Sequence, residues 1–172
     1  MLCAAAHNTY IRTFSGWVYA AFVLDVFSRK IVGWAVSSTL TTKALPLQAL
    51  EMAAFMNHHG KQLVHHSDRG VQYVSLAYSD RLSDLGITAS VGSRGDSYDN
   101  ALAESVNASY KAELIRARGP WRTIEQVEFA TLEWVDWFNT TRLHENLGHC
   151  TPAEIENDYY AHHQRASALT TT

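Results

Sequence analysis

The sequence predicts an α/β fold: a mixed five-stranded sheet flanked by helices. Three observations predict it. The element order reads β-β-β-α-β-α-β-α-α, strands first and then strands alternating with helices, which suits a mixed sheet. Residues 17–24 (WVYAAFVL) are nearly all apolar, as expected of a strand covered on both faces. After residue 41 the apolar period changes, with Leu45, Ala49, Met52, Ala53 and Met56 at helical spacing.

Taken in order, residues 3–12 read as a strand, with β-formers at Thr9, Tyr10 and Ile11. Thr13-Phe14-Ser15-Gly16 is a turn signal, and 17–24 is the return strand. Residues 25–30 are polar enough to turn, and 31–37 (IVGWAVS) is a third strand, completing an antiparallel meander. A helix over 41–58 takes Thr41 or Thr42 as its cap. Residues 63–66 form a short strand ending at Ser67-Asp68-Arg69-Gly70. A helix over 76–85 is stopped by Gly86, and 87–91 is the fifth strand. Residues 92–97 (GSRGDS) read as a mobile loop. A long helix over about 100–116, capped by Asn100, is broken by Gly119-Pro120. A second long helix over 123–138 carries a capping box of Thr123 and Gln126. Trp134, Trp137 and Phe138 on it read as core. A short helix starts at 151–154, and the chain past His163 reads as a frayed, disordered tail over 164–172.

The chain has 172 residues, 47% hydrophobic and 18% charged, which suits one domain with a real core. No apolar run reaches the roughly 18 residues that span a bilayer. Met1–Ala6 is too short and uncharged for a signal peptide and reads as a late start inside a longer reading frame. Two distant cysteines, Cys3 and Cys150, make neither a disulfide framework nor a paired-cysteine zinc site, so a reducing, cytoplasmic setting is expected. The formal charge of −3 argues against a dedicated DNA-binding domain, although a local basic patch would still bind phosphates. The nine histidines fall mostly in adjacent pairs, which point apart and read as surface residues rather than ligands.

Two carboxylates stand out. Asp68 follows an apolar strand, at the end where α/β sheets place their chemistry. Glu104 lies in the first turns of the long helix, 35 residues intervening. Carboxylates are hard donors suited to Mg²⁺ or Mn²⁺. A pair of such ions about 4 Å apart can activate an attacking oxygen and stabilise a leaving one. A strand-end Asp and a helix-borne Glu serve that purpose if the helix packs beside the strand. Either residue taken alone reads equally as a cap or a solvated helix acid.

The sequence resembles the integrase core of bacterial insertion-sequence transposases, DDE-type relatives of retroviral integrases with an RNase H-like fold. The resemblance covers nearly the whole chain, with the core over 1–163 N-terminally truncated relative to a full transposase. It rests on Asn8–Ile11, Trp17–Tyr19, Leu24–Trp34, His65–Tyr73, Asp99–Ser105, Trp137–Asn139 with Arg142, and Leu147-Gly148 with Thr151–Glu154. It implies that Asp68 and Glu104 bind Mg²⁺ or Mn²⁺, two ions in an intact member, and that DNA strands are cleaved and joined. It implies DNA ends and target as partners, a homo-oligomer, no membrane and a nucleoid-associated location. Lys111, seven positions after Glu104 and two helical turns along the same face, matches the family's DNA-touching basic residue. Arg69 and Arg94 border the site by the same resemblance. Arg142 and His144 match the family's tail, either as DNA contacts or as structural docking.

One departure matters. The family's first metal-binding Asp precedes the Thr-Tyr of the first strand, and here that position is His7. A neutral imidazole brings no negative charge and a single ring nitrogen, so it bridges two hard cations poorly. No Asp or Glu precedes Asp25. If residue 12 faces 17 across the first hairpin, 7 faces 22 and 25 faces 4, leaving Asp25 roughly 10 Å along the strand from the site. Asp25 is then a turn anchor. Impaired strand transfer is expected, with a non-catalytic DNA-binding or dimerising remnant as the alternative and an RNase H-type nuclease as a weaker third.

Overall fold

A computed structural model describes residues 3–41, 45–56, 64–67, 76–90 and 96–169; the side chains of 3–8, 64–67, 89–90, 96–100 and 163–169 lie outside that description. Five strands form one sheet: β1 (Cys3–Thr13), β2 (Gly16–Asp25), β3 (Ile31–Ser37), β4 (Val64–Ser67) and β5 (Thr88–Ser90). Their order is β3-β2-β1-β4-β5. The first three are antiparallel, and β4 and β5 run parallel to β1. The sheet is mixed, as expected.

The hairpin register pairs His7 with Phe22 and Ala4 with Asp25, as the turn signal requires. Alternation along β2 then feeds two cores. Ala20, Phe22 and Leu24 join one cluster, and Ala21 and Val23 join the other. This strand reads as continuously apolar because both its faces are covered.

One face carries α1 (Pro46–Met56) and α2 (Leu76–Asp84). Gly33 on β3 lets α1 approach: a Cβ there would overlap the Ala49 carbonyl and stand 2.9 Å from both Ala53 Cβ and N. α1 begins at Pro46 and not at 41, so Thr41 is not its cap; the Thr41 carbonyl accepts from Leu45 N at 3.1 Å ahead of the helix, and Thr42 lies outside the described residues. Gly86, with φ +68°, ends the α2 region.

The other face carries α3 (Asp96–Ser109), a π-helical continuation (Tyr110–Arg116), and α4 (Ile124–Thr140). The helix therefore starts four residues earlier than Asn100, which lies inside it and is not its cap. Gly119-Pro120 ends it. A Cβ at Gly119 would stand 2.9 Å from the Ile115 carbonyl, which instead accepts the Trp121 indole N–H at 3.0 Å. Thr123 caps α4, its hydroxyl accepting from Gln126 N. Trp134 and Phe138 are core, but Trp137 is 40% exposed. It falls outside the buried stripe of Val127, Ala130, Thr131, Trp134, Val135 and Phe138.

The last helix, α5 (Pro152–Leu169), runs past the expected end at His163. Thr151 and Glu154 form a reciprocal capping box, and Ala161, Ala166, Ala168 and Leu169 are strong helix formers. Asn139, at the end of α4, uses its carboxamide to bond both backbone groups of Ile31, each at 2.9 Å.

Candidate active site

β1 and β4 are parallel, with Ala6 opposite Ser67 as the last pair. The next residue on β1 is His7, and the next after β4 in sequence is Asp68. Asp68 itself lies outside the described residues, as do Arg69 and Arg94. Position 7 belongs to the same alternating set of β1 as Thr9 and Ile11, and its partner Phe22 sits in the core beneath α3 and α4. α3 packs across β1 and reaches β4. The C-terminal end of β4, the middle of β1 and the helix bearing Glu104 thus meet at one place.

The faces of α3 are distinct. Leu102, Ala103, Val106, Asn107 and Tyr110 are buried, while Glu104 is exposed and Lys111 half-buried. Glu104 makes no hydrogen bond or ion pair with any described residue, so its carboxylate is free to take a ligand. Two buried polar oxygens flank this seam without a partner among the described residues: Thr9 Oγ1 on β1 and Asn107 Oδ1 on α3. Asn107 lies three residues after Glu104 and four before Lys111, one helical turn from each. Among the described residues no group of three metal-ligating side chains is assembled.

Asp25 is occupied elsewhere. Its carboxylate accepts from Phe27 N (3.3 Å), Ser28 N (3.2 Å) and Ser28 Oγ (2.6 Å), and it is 6% exposed. With Ala4 as its partner, it sits three residues along the ladder from the His7–Phe22 pair. It is the turn anchor that the register requires.

The π segment carries a polar network that the sequence did not reveal. Glu113 Oε1 accepts from Arg142 Nε and Nη2 at 2.9 and 2.8 Å, and Oε2 accepts the Trp134 indole N–H at 3.2 Å. Arg142 Nη1 lies 3.2 Å from His144 Nδ1, and His144 Nε2 lies 3.3 Å from the Phe138 carbonyl. A guanidinium only donates, so Nδ1 accepts and the imidazole carries its proton on Nε2. Burial holds the His144 pKa below its ordinary 6.5; the Phe138 carbonyl pulls the other way, and Arg142 adds to the lowering. The guanidinium of Arg142 also sits 5.4 Å over the Phe138 ring. This network docks the segment after α4 onto the helix that bears Glu104. A cavity of about 480 Å³ lies beside it, lined by Arg29, Ser105, Ser109, Arg142, His144 and Glu145 among others.

Residues 7–97 match the Integrase core domain family, and residues 85–152 match a second family of that description. The chain belongs to the integrase core domain family. It is 48% identical over 168 residues to a "Putative transposase for insertion sequence element IS986/IS6110" of Mycobacterium tuberculosis, covering 95% of this chain and 60% of that protein. It is 55% identical over 156 residues to the "Transposase for insertion sequence element IS629" of Shigella sonnei, covering 91% of this chain and 52% of the relative. The chain thus spans little more than half the length of these relatives. Its fold matches the HTLV-2 integrase catalytic core domain, solved in complex with magnesium, with a TM-score of 0.68 at 16% identity, over 90% of this chain and 95% of that one. The BIV integrase catalytic core gives a TM-score of 0.67 at 20% identity, over 93% and 97%. At these identities the likeness shows the fold, which is that of the RNase H-like integrase cores. No helix among the described residues is long and apolar enough to cross a membrane.

Proposed function

We propose that this chain is the catalytic core of a DNA transposase whose Asp68 and Glu104 bind a divalent metal for strand cleavage and joining, with activity impaired by His7. The observation that carries this reading is the parallel β1–β4 register beneath α3, which supports convergence of positions 7, 68 and 104. The donor chemistry fits: Glu104 is an exposed carboxylate with no partner among the described residues, and Asp68 is a second hard oxygen donor. The magnesium complex of the HTLV-2 integrase core is consistent with such a site. Bound there, Mg²⁺ or Mn²⁺ would supply activation of the attacking oxygen and stabilisation of the leaving one. Lys111 would hold a DNA phosphate beside Glu104, with Arg69 and Arg94 as further DNA contacts, while Arg142, paired with Glu113, serves the docking role instead. His7 leaves the pocket one negative charge short. DNA ends and target are the partners in this reading. A homo-oligomer is the expected assembly, in keeping with the trimeric and dimeric forms of the HTLV-2 core.

Mn²⁺ titration followed by electron paramagnetic resonance tests the site apart from activity. The chain is expected to bind at most one ion, losing it in Glu104→Gln, and His7→Asp is expected to bind two. Unchanged Mn²⁺ affinity in both Glu104→Gln and Asp68→Asn would sink the proposed site. A plasmid joining assay in Mn²⁺ tests the impairment, and robust joining by the chain as it stands would refute it. His7 also favours a second reading, a DNA-binding or dimerising remnant without catalysis. That reading requires that His7→Asp restore neither the second ion nor any joining.

A further inference from the structure

The π segment changes which side chains share the face of Glu104. In an uninterrupted α-helix, at about 100° per residue, Lys111 lies about 20° short of two full turns from Glu104, whereas Arg116 lies about 120° away. A π segment closes i→i+5 instead of i→i+4 bonds, so a single stretch of it acts as roughly a one-residue insertion and the face lags by about 100°. Across Tyr110–Arg116 that lag returns Arg116 to within about 20° of the Glu104 line.

Ile115 provides an internal check. Uninterrupted α spacing would place it about 20° from Glu104, on the exposed face. It instead packs, partly buried, against the same core as Leu114, which is 1% exposed. The rotation is therefore real in the packing, and the residue following Ile115 turns outward. Arg116 is exposed and forms no ion pair with a described residue, while Arg118 is paired to Glu133 at 3.2 Å. Ala108 and Ala112, both exposed, share this outward sector and leave the ridge low enough for close approach.

We propose that Arg116 is a second phosphate-binding cation, continuing from Lys111 along the strand of DNA held at Glu104. Lys111 and Arg116 stand five positions apart, at most about 7.5 Å along the helix axis at the α-helical rise, which keeps both within reach of neighbouring phosphates of one strand. The π segment thus lengthens the DNA track by one contact and at the same time sets Glu113 over Arg142. The proposal rests on the transposase reading above, because it takes DNA as the ligand.

Fluorescence anisotropy with a labelled mixed-sequence DNA duplex, titrated with NaCl, tests it. Each phosphate contact contributes about 0.9 to the slope of log affinity against log salt. Arg116→Ala and Lys111→Ala are each expected to reduce that slope by about 0.9 and to weaken binding several-fold at low salt. Arg116→Lys should keep the slope, and Arg118→Ala, whose cation is already paired, should leave it unchanged. An unchanged slope in Arg116→Ala alongside a reduced one in Lys111→Ala overturns this inference and spares the transposase reading. Binding to the duplex that is absent, or insensitive to salt, in the parent chain overturns both.

Discussion

Replacing Gly33 with alanine should loosen the whole α1 face of the sheet. The new methyl would overlap the Ala49 carbonyl and sit 2.9 Å from Ala53 Cβ and N. Carbon atoms pack best at roughly 3.5–4.0 Å, so α1 has to retreat by about 1 Å. A gap of that size forfeits a quarter to a half of the local dispersion energy. Leu50 and Leu45, 2% and 0% exposed, are among the side chains packed at this face. Each contributes about 1.5–3 kcal/mol by burial, so a partial loss over these two and the adjoining Ala49 and Ala53 comes to about 2–3 kcal/mol. In a domain of this size each kcal/mol moves the melting midpoint by about 2–4 °C, giving a fall of roughly 4–12 °C. Circular dichroism melts of the parent and Gly33→Ala measure it directly. Ala53→Gly in the same chain should recover only part of the loss, since the Ala49 carbonyl is backbone and cannot be trimmed. A midpoint within 2 °C of the parent, or full recovery by Ala53→Gly, would refute the packing argument.

Asp25→Ala removes the acceptor for three hydrogen bonds in a buried turn and should cost about 2–3 kcal/mol in urea denaturation, without altering Mn²⁺ affinity. Because His144 titrates below 6.5 when folded, the unfolded chain takes up its proton first. Its contribution is complete above pH 6.5 and is lost as pH falls through the lowered folded value. His144→Gln should therefore lose less stability than the parent between pH 7 and pH 5, and parallel profiles for the two would count against the assignment. Gly119→Ala should disturb the Trp121 indole bond to the Ile115 carbonyl, lowering stability by about 1–2 kcal/mol and shifting tryptophan emission.

The sheet was legible because its determinants are local. The turn at 13–16 sets the β1–β2 register, and the register places both His7 and Asp25 with no further information. The apolar run of β2 announced a strand covered on two faces. The Thr123 cap of α4, which accepts from Gln126 N, is likewise contained in a four-residue window, while Gln126 itself reaches Arg122 N instead of closing the box. What was not legible depends on distant partners. The π segment has no sequence signature of its own; only in the fold does Glu113 meet Trp134 and Arg142 and the Ile115 carbonyl take the Trp121 indole N–H. The Glu113–Arg142–His144 network joins residues about thirty positions apart, so no spacing rule points to it. Asn100 reads as a cap because the stretch before it looks like loop by its Gly and Ser content, whereas α3 extends into that stretch. Trp137 reads as core because an aromatic in a helical series looks apolar-facing until the stripe's rotation is known, and in the fold it is exposed. Of the candidate site, Glu104 stands out in the sequence by its place on the helix after Asp68 and Lys111 only by the family resemblance, whereas the unpartnered Asn107 between them shows only in the burial.

The carboxamide of Asn139 has a consequence for how this molecule behaves among its own copies. β3 lies at the outside of the sheet, and such a margin invites an extra strand from another chain. At Ile31 both the amide and the carbonyl are already taken by one side chain that imitates a neighbouring peptide unit. An intruding strand would have to evict that surrogate before pairing with Ile31, which guards the beginning of the margin against aggregation while leaving the sheet five strands wide.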